Sequence, residues 1–363
     1  MKQIADNIKL IYIEKAVRHH PLVERFIHRF PLARTKYIDS YTNLPEANVP
    51  LKQKFTLGKK CLVLAEKRGS YIKKFYLHPS LRGNPIYLIN HSIGCPYDCL
   101  YCYIQAYQSY PSFVQFVNLE RIPAEVERIL KQSLCKPLFF SSGILSDSLL
   151  FDELSGLCSS LFPLFASFKG VKLEIRSRTA NISHLLKSDL PKDNIILTWS
   201  LSPEWVVKNY EPRTPPTNKR IEAAALCQRA GYKVGFHLDP LIHYSEWRQG
   251  YQALIDQLKR QLSADGIQYI FLGSLRFKGE WAKVFRIRFP KSRLLADEFV
   301  LSADGKYRYF KPIRLEMYYQ IAGWLNDWSA HIPLYLAMEP PEVWYKWKQY
   351  RAERRNAKLF LKA

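Results

Sequence analysis

Three cysteines in the first third of the chain have the spacing of a metal-binding loop. Cys95, Cys99 and Cys102 form a C-x3-C-x2-C pattern shortly after the apolar run Ile86–Ile89, which reads as a strand. Three thiolates on one loop can hold three irons of a cubane iron–sulfur cluster and leave the fourth iron open for chemistry. A structural zinc site would need a fourth ligand, for which His91 is the nearby candidate. Chance clustering of core cysteines is the remaining interpretation.

Composition and charge argue against a membrane protein or a secreted protein and favour a protein that binds nucleic acid. The chain has 363 residues, enough for one large domain or two ordinary ones. It contains no apolar run of the ~18–20 residues that a membrane span needs, and its N-terminus lacks the pattern of a signal peptide. Seven cysteines, an odd number, favour the reducing cytoplasm over a disulfide scaffold. The net charge of +22 favours nucleic acid as a partner, although a generally basic surface would give the same excess.

Strands and helices alternate from residue 86 onward. The predicted strands are Ile86–Asn90, Pro137–Ser141, Val171–Arg176, Asn194–Leu201, Tyr232–Leu238 and Ile267–Leu272. A helix is predicted after each of them, over Ala124–Lys131, Ser148–Phe168, Ile182–Leu186, Asn218–Ala230, Glu246–Leu262 and Glu280–Phe289. Six such units predict an α/β fold with a parallel sheet curled into a partial (β/α)6 TIM-type barrel. An open doubly wound sheet is the alternative.

The segments on either side of the barrel predict two smaller parts. Residues 1–84 are expected to form a basic N-terminal module, and residues 85–300 the barrel. The rest, residues 301–363, is expected to contain a hairpin and a basic helical extension. Asp304–Gly305 between alternating residues is a strong hairpin signal. Its basic, aromatic second arm would suit a nucleic-acid groove, and a plain solvated hairpin is the alternative.

Polar loops follow five of the predicted strands. They are the cysteine loop, Ser141–Asp147, Ser177–Asn181, Ser200–Glu204 and Asp239–His243. In a βα barrel the loops after the strands gather at one face, where active sites form. These loops are therefore expected to line one cavity beside the cysteines.

The cysteine loop resembles the cluster motif of the radical S-adenosylmethionine (SAM) enzymes, with the aromatic Tyr101 before the third cysteine. Over a longer span, from about Ile11 to Trp328, the chain is similar to the spore photoproduct lyase family. The stretches that carry this similarity are Tyr101–Gln105, Lys208–Pro216, Ala230–Ile242 and Asp304–Arg314.

The resemblance implies a reaction and its cofactors. A 4Fe–4S cluster on Cys95, Cys99 and Cys102 would reduce SAM, and the resulting 5′-deoxyadenosyl radical would take a hydrogen atom from the substrate. In the family, the substrate is a thymine dimer in UV-damaged DNA, which must leave the helix to meet the radical. An electron donor such as flavodoxin or ferredoxin is also implied.

Three residues are carried over from the family as SAM contacts. Ser146 and Ser200 match its SAM-binding serines. Arg178 stands where the family has a lysine that touches the SAM carboxylate, so the charge is kept and the donor geometry changes.

Four further residues are carried over as catalytic or nucleic-acid contacts. Tyr101 and Tyr103 match the two tyrosines that relay hydrogen back to the product, and Tyr101 is also expected to border SAM. Arg308 and Tyr309 match the place where the family's hairpin meets the lesion.

One departure from the family pattern affects the expected substrate. Well-studied lyases carry a hydrogen-donating cysteine just before the Ser–Asp pair, whereas this chain has Gly143–Leu145 there. Tyr103 alone, or Cys158 or Cys227, would have to replace it. Three hypotheses follow: a lyase acting on DNA, a radical SAM enzyme with another substrate, and a non-catalytic iron–sulfur or zinc protein that binds nucleic acid.

Overall fold

The computed structural model describes residues 7–44, 49–75, 85–107, 112–133, 137–187 and 189–360. Its strands, in chain order, are β1 (Leu10–Glu14), β2 (Arg34–Ile38), β3 (Cys61–Ala65), β4 (Ile72–Phe75), β5 (Ile86–Ile89), β6 (Ser92–Ile93), β7 (Phe113–Phe116), β8 (Leu138–Ser142), β9 (Val171–Ser177), β10 (Ile195–Ser200), β11 (Lys233–Leu241), β12 (Ile267–Ser274), β13 (Arg276–Phe277), β14 (Phe299–Leu301), β15 (Tyr307–Tyr309) and β16 (Leu334–Leu336). Its α-helices are α1 (Pro21–Arg29), α2 (Leu51–Gly58), α3 (Ile104–Tyr107), α4 (Arg121–Gln132), α5 (Asp152–Ser155), α6 (Leu157–Ala166), α7 (Ser183–Leu186), α8 (Glu204–Tyr210), α9 (Thr217–Arg229), α10 (Trp247–Gln261), α11 (Gly279–Arg288), α12 (Lys311–Trp328) and α13 (Pro341–Phe360).

An eight-stranded sheet forms the centre of the fold, in the order β16-β12-β11-β10-β9-β8-β5-β4. Within this sheet, every pair of neighbouring strands is parallel except one, the antiparallel pair of β4 and β5 at the edge. The predicted partial barrel is confirmed, and each edge carries one strand beyond the six expected. All six side chains of β10 are buried, as expected for a parallel strand covered on both faces.

A second, five-stranded sheet has the order β2-β1-β3-β7-β6. The six strands predicted from residue 86 onward include none of these five. Because β6 and β7 come from after residue 84 and β4 joins the large sheet, the two sheets exchange strands across the predicted boundary. The division into three domains remains a prediction.

The helix predicted over Ser148–Phe168 is wrong in its extent. Residues before Asp152 form a loop, and Gly156 adopts a left-handed φ of 68° that separates α5 from α6. Glycine takes this conformation without the steric cost of a Cβ. The polar start of the segment therefore belongs to the face where the strands end.

The predicted hairpin forms from β14 and β15, and β15 also pairs with β13. Gly305 turns the chain with φ 75°, and Ser302 donates its backbone N–H to the Lys306 carbonyl at 2.8 Å. Among the described residues, no helix combines the length and the apolar character needed to cross a membrane.

Candidate active site

The cysteine loop is held in place by side chains from distant parts of the chain. Lys59 donates to the Cys95 carbonyl at 2.7 Å, and Trp281 donates its indole N–H to the Cys102 carbonyl at 2.8 Å. Within the loop, the Gln105 amide donates to the Cys99 carbonyl at 2.9 Å. These bonds satisfy the loop's buried carbonyls and fix the backbone that carries the thiols.

The three thiols sit in an environment that suits a soft metal centre. Cys99 is 6% exposed, and Cys95 and Cys102 are half-buried. Burial raises the pKa of all three, that of Cys99 to about 12, so a metal must displace their protons on binding. Within the part of the chain that the structure describes, no three His, Cys, Asp or Glu side chains converge as a single metal ion requires.

Asp147 brings two of the predicted SAM contacts to the same edge of the sheet. Its carboxylate accepts from the Ser177 hydroxyl and from the Arg178 backbone N–H, both at 2.7 Å. It also accepts from the backbone N–H of Leu149 at 3.2 Å. The loop that carries Ser146 is thereby tied to the end of β9, where the Arg178 side chain begins.

Glu211 is the buried counter-ion of this region. Its carboxylate lies 2.6 Å from Arg220 Nη2 and 3.0 Å from Arg178 Nη1, and it accepts a hydrogen bond from the Tyr101 hydroxyl. Arg220 also donates to the Ser200 carbonyl at 3.1 Å, and the Arg178 guanidinium stands 5.6 Å above the Tyr101 ring. One carboxylate therefore links three residues predicted to border SAM.

Sequence reasoning did not assign a role to Glu211 or Arg220. Both lie in or beside Lys208–Pro216, a stretch that the resemblance had singled out. Glu211 lies between a tyrosine and a proline, nine positions before Arg220, and this spacing does not match the repeat of a helix or a strand. The similarity of this stretch to the family was therefore the one sequence feature that pointed to the pair.

Tyr103 contacts the loop Gly143–Leu145 through its hydroxyl group. Its hydroxyl donates to the Ile144 carbonyl at 2.5 Å, although the residue as a whole is 48% exposed. Ile144 follows Gly143, which has φ 96°. A tyrosine hydroxyl thus contacts the backbone of the loop that lacks the cysteine.

A side chain at Gly143 is expected to destabilise the protein. Its Cβ would lie 2.5 Å from the Arg176 carbonyl oxygen, and the positive φ adds backbone strain. Gly143→Ala and Gly143→Cys should each lower the free energy of unfolding by about 3 kcal/mol, as measured by chemical denaturation. Gly69→Ala is the matched control, because a Cβ there meets no heavy atom within 4 Å. Equal stability of the two alanine variants would contradict this account.

His91, the candidate fourth ligand, faces serine hydroxyls. Its Nε2 lies 3.3 Å from Ser148 Oγ and 3.4 Å from both Ser146 Oγ and Ser92 Oγ. Burial lowers its pKa to about 4, so the imidazole is neutral. His91 is therefore placed to orient Ser146.

The predicted nucleic-acid contacts Arg308 and Tyr309 are each 1% exposed. Arg308 forms a two-pronged pair with Asp304, at 2.7 and 2.8 Å, and donates to the Met338 carbonyl at 2.9 Å. The Tyr309 hydroxyl accepts from the His243 backbone N–H at 3.2 Å. The two side chains are consecutive in β15 and therefore lie on opposite faces of the strand, and both faces are covered at these positions. Their role as nucleic-acid contacts remains a prediction.

Comparison with known proteins shows which family this chain is similar to. The profile of the spore photoproduct lyase family matches residues 7–320. The spore photoproduct lyase of Bacillus subtilis (strain 168) is 26% identical over 296 residues, which is 80% of this chain and 84% of that protein. That of Geobacillus sp. (strain Y412MC61) is 24% identical over 296 residues, 80% of this chain and 85% of that protein.

Solved structures share the fold. A spore photoproduct lyase complexed with dinucleoside spore photoproduct superposes with a TM-score of 0.76 at 23% identity, covering 91% of this chain and 98% of that one. A mutant lyase with bound AdoMet and dinucleoside spore photoproduct gives a TM-score of 0.76 at 22% identity, with the same coverage. The chain belongs to the spore photoproduct lyase family, whose members are radical SAM enzymes that use a 4Fe–4S cluster.

Proposed function

We propose that this protein cleaves SAM reductively and uses the resulting radical to repair the spore photoproduct, a thymine dimer in UV-damaged DNA. The observation that carries the proposal is the loop with Cys95, Cys99 and Cys102, set after β5 at the same sheet edge as Arg178. Relatives that are named for this lyase activity, and a family structure with bound dinucleoside spore photoproduct, support the substrate.

The residues present fit the two cofactors. The three thiols would hold a 4Fe–4S cluster, and they offer the soft sulfur ligands that iron–sulfur centres use. When bound, the cluster and SAM supply a 5′-deoxyadenosyl radical that takes a hydrogen atom from the substrate. Arg178 would hold the SAM carboxylate, with Glu211 keeping the guanidinium in place. Ser146 and Ser200 would contribute polar contacts, and Tyr101 would border the site.

Tyr103 would donate the hydrogen atom of its hydroxyl to the product radical, and the resulting phenoxyl radical would be restored by one electron from the reductant and one proton from solvent. The contact between its hydroxyl and Ile144 supports this role, because the hydroxyl then stands beside the loop that lacks the family's cysteine. Cys158 and Cys227 are less suitable, since both are fully buried within helices α6 and α9.

Tyr103→Phe is expected to separate SAM cleavage from repair. Without the hydroxyl there is no hydrogen atom to return, so repaired thymine should fall about tenfold or more while 5′-deoxyadenosine still forms. In deuterated water the wild type should deliver deuterium to thymine, and the variant should not. Tyr345→Phe is the control, because this tyrosine is 63% exposed and lies on α13. Unchanged deuterium transfer by Tyr103→Phe would rule this role out.

The partners follow from charge and chemistry. The net charge of +22 supports electrostatic binding to DNA. The same charge suits an acidic one-electron carrier such as flavodoxin or ferredoxin as the reductant. The six cysteines that the structure describes are all free thiols, which supports a reducing location in the cytoplasm.

The decisive experiment is anaerobic reconstitution with iron and sulfide, followed by reduction in the presence of SAM and dinucleoside spore photoproduct. Formation of both 5′-deoxyadenosine and thymine is the expected result. Failure to form 5′-deoxyadenosine would contradict radical chemistry altogether, and would favour a protein that only binds nucleic acid.

A second candidate is a radical SAM enzyme acting on a different nucleic-acid substrate. The specific observation in its favour is the glycine-containing loop in place of the hydrogen-donating cysteine. It would be favoured if 5′-deoxyadenosine formed at the normal rate while no thymine appeared above control levels.

A further inference from the structure

The interior of the barrel holds a buried carboxylate that the proposed chemistry does not use. Glu174 on β9 is 1% exposed. Its donors come from four other strands of the sheet (β8, β10, β11 and β12) and from β9 itself: Ser141 at 2.5 Å, His237 at 2.6 Å, Tyr269 at 2.8 Å, Arg176 at 3.1 Å and Thr198 at 3.2 Å. Barrels of this type normally fill the same space with branched apolar side chains. We call Glu174 with these donors the Glu174 network.

Two glycines leave room for these polar groups. A Cβ at Gly235 would lie 2.9 Å from the Thr198 methyl group and 3.1 Å from the Tyr269 ring. A Cβ at Gly273 would lie 2.6 Å from Asp239 Oδ1. The absence of a side chain at these two positions therefore makes space for the polar residues. The polar interior depends on several positions of the strands and not on a single polar substitution.

Above the network lies an edge of three charged residues that remain partly accessible. Arg276 binds Asp239 with two hydrogen bonds, at 2.7 and 3.0 Å. The side chains of Arg176, Asp239 and Arg276 are 26%, 21% and 16% exposed, against 2% for Glu174 below. Among the described residues, the Arg176 Nε–H has no hydrogen-bond partner. We call these three residues the recognition edge.

The recognition edge borders the predicted radical site. The Arg176 carbonyl accepts the Ser148 backbone N–H at 3.1 Å and lies against Gly143, so this strand end contacts the loop that Tyr103 binds. Arg276 begins β13, and the next helix donates through Trp281 to the Cys102 carbonyl. A molecule bound in contact with Tyr103 would therefore also lie beside the charged side chains of the recognition edge.

Charge and hydrogen-bonding pattern decide what this edge can bind. The two guanidinium charges of the edge are matched by the Asp239 and Glu174 carboxylates, and burial lowers the pKa of His237, which is therefore neutral. A site with balanced charge has no surplus for a phosphate. Asp239 on β11 forms the two hydrogen bonds with Arg276 and also interacts electrostatically with Arg176 at the end of β9, so an acceptor carboxylate has a donor guanidinium group on either side. The imide edge of thymine presents the complementary order: carbonyl, N3–H, carbonyl.

We propose that the recognition edge binds the imide edge of one pyrimidine ring of the substrate. Asp239 accepts the ring N3–H, and Arg176 and Arg276 donate to the flanking carbonyl oxygens. The Glu174 network positions Arg176 for this contact. The assignment rests on the proposed function, because each thymine of a linked pair keeps its imide group. Reading a displaced base by its pairing edge is also how other enzymes recognise extruded nucleotides.

The test compares dinucleoside spore photoproduct with its N3-methylated analogue, using the reconstituted enzyme. Wild type should bind the methylated analogue about tenfold or more weakly, because a hydrogen bond to a carboxylate is lost. Asp239→Ala, which removes the acceptor, should bind the unmodified substrate about tenfold more weakly and should lose little more on methylation. Asp265→Ala, at an exposed aspartate just before β12, should behave as wild type.

The outcomes separate this inference from the function on which it rests. If wild type restores no thymine from the unmodified substrate, the proposed function fails. If wild type repairs it and binds both substrates equally, or if methylation weakens binding to Asp239→Ala as much as to wild type, only the recognition edge is refuted. The wild-type comparison needs no variant, so a folding defect in Asp239→Ala cannot obscure it.

Discussion

Replacing Cys99 with alanine is expected to abolish cluster binding and SAM cleavage together. Three thiols on one loop are the minimum that leaves one iron open, so the loss of any one removes a ligand that no neighbour can supply. His91 cannot compensate, because its Nε2 is surrounded by the hydroxyls of Ser92, Ser146 and Ser148. We expect iron and sulfide content to fall to background, and 5′-deoxyadenosine to become undetectable.

Cys227→Ala is the matched control for this experiment. Cys227 is as buried as Cys99, but it lies on α9 outside the loop. Its loss should cost stability while iron content and SAM cleavage stay near wild type. A Cys99→Ala variant that keeps a full cluster, with the spectrum of the wild type, would contradict the assignment of all three ligands.

Replacing Glu211 with glutamine or leucine is expected to cause a large loss of stability. The side chains of Glu211 and Arg220 are fully buried, and Arg178 is also within 3.0 Å of the carboxylate. Removing the carboxylate leaves two guanidinium groups without their counter-charge, which costs about 3–5 kcal/mol when a buried pair is broken. Denaturant titration measures this, and SAM binding should weaken because Arg178 loses its partner.

The pH dependence of this contribution has a definite sign. Arg220 and Arg178 hold the pKa of the Glu211 carboxyl well below its usual value of 4.5, despite the burial that opposes ionisation. Its stabilisation is therefore fully present above that value and is lost as the pH falls below it. Glu222→Gln is the control, because this exposed glutamate forms a surface pair with Lys219 and its replacement should change stability by less than about 0.5 kcal/mol. A Glu211 variant that matched Glu222→Gln would show that the buried carboxylate is dispensable.

Much of the barrel could be predicted because parallel strands and their helices leave strong local signals. The α9 helix, for example, is preceded by Pro215–Pro216 and followed by Gly231 with φ 96°, and the predicted bounds differ from the observed ones by one residue at each end. The cysteine loop was equally visible, because spacing along the chain decides which thiols share a loop.

The small sheet and the polar interior were not predictable in the same way. Strands such as β2, with four exposed side chains of five, lack the apolar pattern that signals a strand. The pairing of β3 with β7 joins residues about fifty positions apart, which no local pattern reveals. Glu174 and His237 each look like an isolated polar residue in a buried strand, and only the register of the sheet shows that they meet. The burial of Arg308 could not be foreseen either, because the alternation of residues in a hairpin does not say which face is covered.

The hairpin and the metal loop are mechanically connected through a single helix. Strand β13 pairs with the hairpin strand β15, and α11, which follows β13, holds the metal loop through Trp281 at one end and Arg288, paired with Asp98, at the other. A displacement of the hairpin would therefore be transmitted through β13 and α11 to the loop that carries the three cluster thiols. Binding at the hairpin and the geometry of the cysteine loop are coupled through this one helix.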